Sequence, residues 1–484
     1  MSALELTLGW VAAAVAGRLD GGDPDRVIGE VVTDSRTLRP GDLFIALRGP
    51  RFDGHEFVGS ALERGAAAAI VEARADLNVR LDEDEAGVTT GGSGGASGPP
   101  AGLIEVADTL KALQALAHAV RTAAGTRVVA ITGSAGKTTT KEAIAEMLAT
   151  RARVVKNQGN LNNHIGLPLS LLQLRDLPDV AVMELGMNHA GEISTLVAVA
   201  APDVRVWINV GDAHAGFFAS AEAIADAKAE ILERADASSV LVANADDPRV
   251  MARSRGFAGR LLTFGTGAGA TVRAAGIEDL GVDGMRARLI TPAGERRLAT
   301  PLLGRGNLAN VLAAAAVALN EGVPLDDIVA VAARLQPADG RGAVRRLRDG
   351  VVVIHDSYNS SPTALRAALD VVAHAAPAGR RIAVLGEMLE LGDHAVALHR
   401  ECGRAAAAAG LDLLIAVGGP AVQALAVAAV AAGMPAAAVA HADDSAAAAS
   451  LAAAAVRPGD LVLVKGSRGT RTDLVVDRLV TERG

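Results

Sequence analysis

Arg127-Val128-Val129-Ala130-Ile131-Thr132-Gly133-Ser134-Ala135-Gly136-Lys137-Thr138-Thr139-Thr140 is the stretch on which the fold turns. Its first six residues form a largely apolar, β-branched run that reads as a buried strand. From Lys137 to about Thr150 the pattern reads as a helix. Between the two, Gly133 and Gly136 let backbone N–H groups curl around phosphate oxygens, and the helix N-terminus adds partial positive charge. Lys137 is placed to reach the β and γ phosphates of a nucleotide, and the Thr138 hydroxyl to ligate Mg²⁺. Gly133, Ser134, Ala135, Gly136, Lys137, Thr138 and Thr139 are therefore the expected ATP-binding residues. The longer form of such a loop has a glycine where this chain has Ile131, so the pattern is the shorter Gly-x-x-Gly-Lys-Thr. An ordinary strand–helix turn leaves Lys137 and three successive threonines unexplained.

Working outward, Val180–Leu185, Val204–Asn209 and Ser239–Ala243 read as further strands separated by helical stretches. Strands alternating with helices imply a mainly parallel sheet with covered faces. The alternation restarts after Arg341. Strands are expected at Val351–His355, Arg381–Leu385, Leu413–Val417 and Asp460–Val464. Helices are expected at Thr363–Ala375, Val396–Ala409, Ala421–Ala432, Ser445–Val456 and Asp473–Glu482. This is a second, Rossmann-like doubly wound unit, of the kind that binds ligands at the carboxyl ends of its strands.

Toward the N-terminus, Val27–Thr33 and Leu43–Leu47 read as strands joined by the turn Arg39-Pro40-Gly41-Asp42. A helix at Glu56–Arg64 and a strand at Ala67–Glu72 complete a small α/β unit. Residues 82–100 are acidic, then Gly/Ser-rich, and end in Pro-Pro, which reads as a flexible insertion. Asp108 can cap a helix with Leu110, Leu113, Leu116 and Val120 on one face. The expected fold class is α/β in three domains: 1–105 with the insertion 82–100, 106–338 around the phosphate loop, and 339–484.

The bulk numbers narrow the partners. The net charge of −8 and 2% aromatic content argue against nucleic acid, which asks for a basic excess and stacking rings. The one cysteine, Cys402, fits a reducing compartment. No basic region followed by an apolar run begins the chain, and the alanine-rich runs are too short to span a bilayer. A cytoplasmic protein without membrane insertion is expected.

Other residues carry candidate chemistry. Glu184 ends a strand, where a carboxylate can ligate Mg²⁺ or simply be a solvated acid. His214 follows the strand ending at Asn209; a lone histidine is usually structural. Lys228 lies in a helical stretch and by residue chemistry alone reads as a solvated surface lysine.

An ordered series of segments changes these weights. It runs Thr33-Asp34-Ser35-Arg36, Pro40-Gly41-Asp42-Leu43-Phe44, Asp53-Gly54-His55, the phosphate loop, and Gly159-Asn160-Leu161-Asn162-Asn163. It continues with Glu184-Leu185-Gly186-Met187-Asn188-His189, Ala213-His214, Ala227-Lys228, Gly304-Arg305-Gly306-Asn307 and Gly340-Arg341. It closes with Asp356-Ser357-Tyr358-Asn359, Gly386-Glu387-Met388 and Lys465-Gly466-Ser467-Arg468. In this order over nearly the whole chain, the segments resemble the Mur ligase family, in its branch that joins a dipeptide to a nucleotide-linked tripeptide.

The resemblance implies an N-terminal domain holding the UDP end of a UDP-N-acetylmuramoyl-tripeptide, with Ser35 and Arg36 in its binding region. A C-terminal domain would deliver D-alanyl-D-alanine. It implies that Lys228 is carbamylated by CO₂ and, with Glu184 and His214, holds a second Mg²⁺. Asn307 would contact adenine, its alternative being a helix N-cap. Asp356, Tyr358 and Asn359 would lie near the base and ribose, and Arg341 at the hinge would reach the nucleotide. Lys137, Glu184, His214, Lys228 and Arg341 form the implied catalytic set. Asn162, Asn188, His189, Lys465, Ser467 and Arg468 are the remaining implied substrate residues. A monomer is expected.

Two departures stand out. Ala215-Gly216-Phe217 replaces the family's Leu-Glu-containing phrase, and Asp226 stands where some members have lysine. A ligase adding a single amino acid, of Mur or folylpolyglutamate type, is the nearest alternative. A nucleotide-gated switch is a more distant one.

Overall fold

A computed structural model of the chain describes residues 3–50, 52–73, 80–82, 87–89, 100–212 and 215–484. The chain divides into two compact units. Residues 1–130, 153–186 and 194–202 make the first, and residues 131–152, 187–193 and 203–484 the second.

The first unit holds a five-stranded sheet in the order Arg18–Asp20, Gly102–Val106, Ala68–Glu72, Leu43–Ile45, Val31–Val32. Only Arg18–Asp20 runs antiparallel to its neighbour. Leu43, Phe44 and Ile45 are buried, as a strand covered on both faces requires. The expected strand Val27–Thr33 shortens to Val31–Val32. The residues before it bond to a turn instead: Gly29 N–H donates to Gly41 O, and Glu30 N–H to the Asp42 carboxylate. Helix Thr109–Ala124 begins as expected, with the Asp108 carboxylate accepting from Lys111 N–H at 2.9 Å. Leu113, Leu116 and Val120 are fully buried along one face. Arg80–Asp82 and Gly87–Thr89, within and beside the expected insertion, pair as an antiparallel ribbon. Residues 83–86 and 90–99 lie outside the described residues. Strands Val154–Lys156 and Val180–Glu184 pair in parallel in this unit, and Arg127–Thr132 follows them in strand order.

Arg127–Thr132 carries the chain into the second unit. There the parallel strands Val204–Trp207, Val240–Asn244 and Arg260–Gly265 follow one another. Val272–Asp279 pairs in parallel with the last of these, and Met285–Thr291 and Gly294–Thr300 extend the sheet antiparallel. This meander was not expected. Its signal is present as period-two alternation: Met285, Ala287 and Leu289 are buried while Arg286 and Arg288 are exposed.

The six-stranded sheet runs Ala343–Arg346, Val352–Asp356, Leu461–Lys465, Arg381–Gly386, Leu413–Val417, Val439–Ala442. All pairs are parallel except the first. Ala383, Leu385 and Leu463 face one core, and Ile382, Val384, Val462 and Val464 face another. Burial on both faces explains the unbroken apolar runs in the sequence. The three sheets give the α/β, three-domain class. Among the described residues no helix is long and apolar enough to cross a membrane.

Asp460 anchors the entry to the central strand of this sheet. Its carboxylate is 1% exposed and accepts from the Arg380 guanidinium at 2.7 Å, from Arg380 N–H at 2.9 Å and from Arg457 N–H at 2.8 Å. Burial alone would raise its pKa, but these donors outweigh burial and hold the group below its usual value. Asp460→Ala is expected to cost roughly 3 kcal/mol, because it strands a partly buried guanidinium. The contribution is full above the ordinary carboxylate range near pH 4 and is lost as pH falls through the lower folded value. Urea unfolding across pH should show the wild-type advantage at neutral pH and its disappearance in acid.

Candidate active site

The phosphate loop lies between the strand Arg127–Thr132 and the helix Lys137–Leu148. Ile131 is fully buried in the strand, so position 131 belongs to the core rather than the loop. That is why the glycine pattern is short. A side chain at Gly133 would place Cβ 2.7 Å from Ile208 Cγ1. Gly136 has φ +87°, and a Cβ there would lie 2.4 Å from Asn310 Oδ1. The first turn of the helix carries Lys137, Thr138 and Thr139 and no acid. Helix-start N–H groups beside a lysine and hydroxyls form a donor set suited to a polyphosphate. The Lys137 ammonium donates to Gly133 O at 2.9 Å, which folds it back over the loop.

Asn209 organises this loop and was not foreseen. Its Oδ1 accepts from Ser134 N–H and Ala135 N–H, both at 3.0 Å, and its Nδ2 donates to Ala135 O at 2.9 Å. Gly211 adds two contacts: its N–H donates to Ser134 Oγ at 2.8 Å, and its carbonyl accepts from that hydroxyl at 3.1 Å. A strand-end asparagine carries no sequence motif of its own. Its role follows from sheet order, which puts Val204–Trp207 beside the loop's own strand.

Lys228 overturns the reading of its residue type. It is 1% exposed, and the buried stripe of helix Ala221–Ala229 is Ile224, Ala225, Ala227 and Lys228. The spacing from Ile224 to Lys228 is one helical turn, so periodicity held the signal. Among the described residues no hydrogen bond or ion pair forms at its side chain. Burial first, and the charge of Lys137 second, push its pKa well below the ordinary lysine value. Both act against the charged form of this buried amine. Asp226, by contrast, is exposed and pairs with Arg253 at 2.7 Å.

Asn188 and His189 are held by an acid for which no role was expected. Glu192 accepts from Asn188 N–H at 2.7 Å and meets the His189 ring at 3.3 Å. Burial acts to raise Glu192, but these partners prevail and lower it. His189 also faces the Phe217 ring at 5.2 Å.

The residues expected at the nucleotide, and the C-terminal ones expected at the substrate, gather in small groups. Arg341 lies 4.1 Å over the Tyr358 ring and Arg468 lies 5.7 Å from it, so two guanidiniums address the chain's single tyrosine. The Lys465 ammonium, 3% exposed, donates to Asp356 Oδ2 at 2.6 Å and to Asn359 O at 3.0 Å. Ser467 Oγ accepts from Leu389 N–H. Asn307 is not a helix N-cap: Leu303 holds that position before Gly304–Asn320, and Asn307 Nδ2 bonds back to Leu303 O. Asn307 Oδ1 accepts from Asn310 Nδ2 at 3.1 Å, which links it to the residue packed over Gly136.

In the first unit, Glu184 ends its strand 4% exposed. Its Oε1 accepts from Asn162 Nδ2 at 2.8 Å, and its backbone N–H and C=O are both taken by Asn157. An oriented, amide-supported carboxylate is what a Mg²⁺ ligand needs. Arg36 is exposed and grips Asp34 through Nε and Nη2, holding that carboxyl down to about 2. Beside Asp34 a cavity of about 350 Å³ is lined by Leu6, Glu30, Thr33, Thr37 and Arg175. Ser35 lies in the same turn. His214 falls outside the described residues, and among those described no three His, Cys, Asp or Glu side chains cluster to hold a metal.

Three family models match the chain: the Mur ligase family catalytic domain over residues 27–157, the Mur ligase middle domain over 131–318, and the Mur ligase glutamate ligase domain over 340–468. A UDP-N-acetylmuramoyl-tripeptide–D-alanyl-D-alanine ligase of Bacillus subtilis is 34% identical over 454 residues, covering 94% of this chain and 93% of that one. A crystal structure of MurF from Acinetobacter baumannii superposes with a TM-score of 0.86 at 32% identity, covering 99% of this chain and 100% of that one. The structure of MurF from Thermotoga maritima in complex with ADP gives 0.80 at 28% identity, over 94% and 97% of the two chains.

Proposed function

The chain belongs to the Mur ligase family, and we propose from that membership that it uses ATP to join D-alanyl-D-alanine to the terminal carboxylate of UDP-N-acetylmuramoyl-tripeptide, in peptidoglycan precursor synthesis. The full-length likeness to dipeptide-adding relatives supports this over a ligase that adds one amino acid. Residues 1–105 form the muropeptide domain, 106–338 the ATP-binding domain and 339–484 the domain that brings the dipeptide. The reaction belongs in the cytoplasm, where ATP and the UDP-linked precursor are made, and a monomer suffices for it.

A carboxylate and an amine do not condense unaided in water. The tripeptide carboxylate attacks the γ-phosphorus of ATP, ADP leaves, and an acyl phosphate forms. The amine of D-alanyl-D-alanine then attacks the acyl carbon, loses a proton and expels phosphate. Lys137 and the loop amides steady charge on the transferring phosphoryl group, and positioning carries most of such a transfer. Asn307, Asp356, Tyr358 and Asn359 receive the adenosine, and Arg341 is drawn to the nucleotide from its seat on Tyr358. Ser35 and Arg36 hold the UDP end, while Asn162, Asn188, His189, Lys465, Ser467 and Arg468 line the peptide side. Excluding water protects the acyl phosphate from hydrolysis.

The observation that carries the metal reading is Lys228. Disfavouring the charged form leaves the amine nucleophilic; it adds to CO₂ and gives up a proton to form a carbamate. The product is an anionic oxygen ligand beside the positive Lys137, which removes the cost of a buried, unpartnered amine. Thr138 would hold one Mg²⁺, and Glu184, His214 and carbamylated Lys228 the second; the ions supply charge neutralisation for the phosphoryl group.

The direct test offers UDP-N-acetylmuramoyl-tripeptide with D-alanyl-D-alanine or with single amino acids and follows phosphate and product. ATP-dependent product with the dipeptide is expected. Product only with a single amino acid, or phosphate without product, overturns the assignment.

A further inference from the structure

The phosphate loop is tied to the C-terminal part of the second unit through four residues, Asn209 to Asp212. At one end, Asn209 and Gly211 make the five contacts to Ser134 and Ala135 described above. Val210 N–H is fixed to Asp247 Oδ2 at 2.8 Å. At the other end, Asp212 Oδ2 accepts from Thr363 Oγ1 at 3.1 Å and from Arg366 Nη2 at 2.9 Å. Thr363 and Arg366 are three residues apart on helix Pro362–His374, so they share a face. That helix begins three residues after Asn359, and its N-terminus is capped by Ser361. Arg366 is also braced from behind by Glu401 at 3.7 Å, on the neighbouring helix Ala395–Ala408.

We propose that Arg366 is a positioning residue for the ligation, seating the C-terminal domain against the strap that orders the phosphate loop. In the Asp212–Arg366 pair the Arg366 side chain is about two-fifths exposed and that of Asp212 about one-third. A pair so exposed adds little to static stability. Where it counts is in whether the C-terminal domain sits on the loop when the phosphoryl group moves, which a contact of modest size can bias. Thr363 gives Asp212 a second donor from the same helix, which fixes the helix's rotation as well as its distance. Nucleotide binding to the loop alone does not need this contact, whereas the step that needs both domains does.

The inference rests on the ligase reading, and wild-type product formation in the same assay tests that reading separately. The full-length variants are Arg366→Met, Asp212→Ala, their combination, Arg366→Lys and Glu401→Gln. Turnover at saturating substrates, ADP affinity by calorimetry and thermal midpoint are measured for each. Arg366→Met and Asp212→Ala are each expected to lower kcat about tenfold, a coupling of ordinary size, with no further loss in combination. ADP affinity should stay within twofold and the thermal midpoint should hold. Arg366→Lys should keep most of the rate, because an ammonium still reaches Asp212. Unchanged kcat, losses that multiply in the double variant, a parallel fall in ADP affinity, or an equal loss from Glu401→Gln alone would each overturn the proposal.

Discussion

Lys228→Met should leave a folded protein that turns over substrate at least about a hundredfold more slowly, the scale of losing one well-placed charge or metal contact in a water-excluded site. Methionine matches the lysine stem in length and is apolar, so it fills the stripe beside Ile224 and Ala225 without a cavity. Among the described residues the amine has no partner to lose, and burial with Lys137 disfavours its charge. In buffer free of bicarbonate and Mg²⁺ the variant is therefore expected to melt no lower than wild type. The loss of rate has a second signature. Wild-type activity should fall when CO₂ is stripped and recover with bicarbonate, and ¹³C-bicarbonate should give a carbamate carbon signal that Lys228→Met lacks. A variant near wild-type rate, or a wild type indifferent to bicarbonate, would sink the carbamate assignment.

What could be read in advance followed burial and spacing. Arg127–Thr132 and Leu413–Val417 match their expected bounds residue for residue, because apolar runs closed by turn residues leave the chain little choice. The strands from Arg260 to Thr300 departed from the strand–helix rhythm, and their exposed arginines made them look unlike core strands. The loop's place between strand and helix was legible because its signals are local: two glycines, a lysine and a helix start. The residues that hold the loop were not. Asn209 meets Ser134 and Ala135 across about 75 positions, and Arg366 meets Asp212 across 154. No spacing rule spans such distances; only sheet order does. Lys228 lies between the two cases. Its residue type pointed to solvent, its place one turn after Ile224 pointed inward, and the fold sided with periodicity.

Gly136→Ala is expected to weaken ADP binding by about a hundredfold or more while the thermal midpoint barely moves. Two costs act together. At φ +87° a Cβ meets its own backbone, worth roughly 1–2 kcal/mol. The same Cβ would stand 2.4 Å from Asn310 Oδ1, a contact no rotamer adjustment of alanine relieves, and forcing such a fit costs about 1–3 kcal/mol. The loop escapes both by moving its N–H groups off the phosphate positions, which transfers the cost from folding to binding. Asn310 is buried and bonded to Asn307, so it cannot swing aside without loosening the residue assigned to adenine. Adding Asn310→Ala should therefore restore part of the affinity, by removing the clash, but not all, because the backbone cost remains. Calorimetry with ADP on the single and double variants decides it. Normal binding by Gly136→Ala would show that the loop does not hold the phosphates, and no recovery in the double variant would show that the Asn310 contact is not what excludes a side chain at this position.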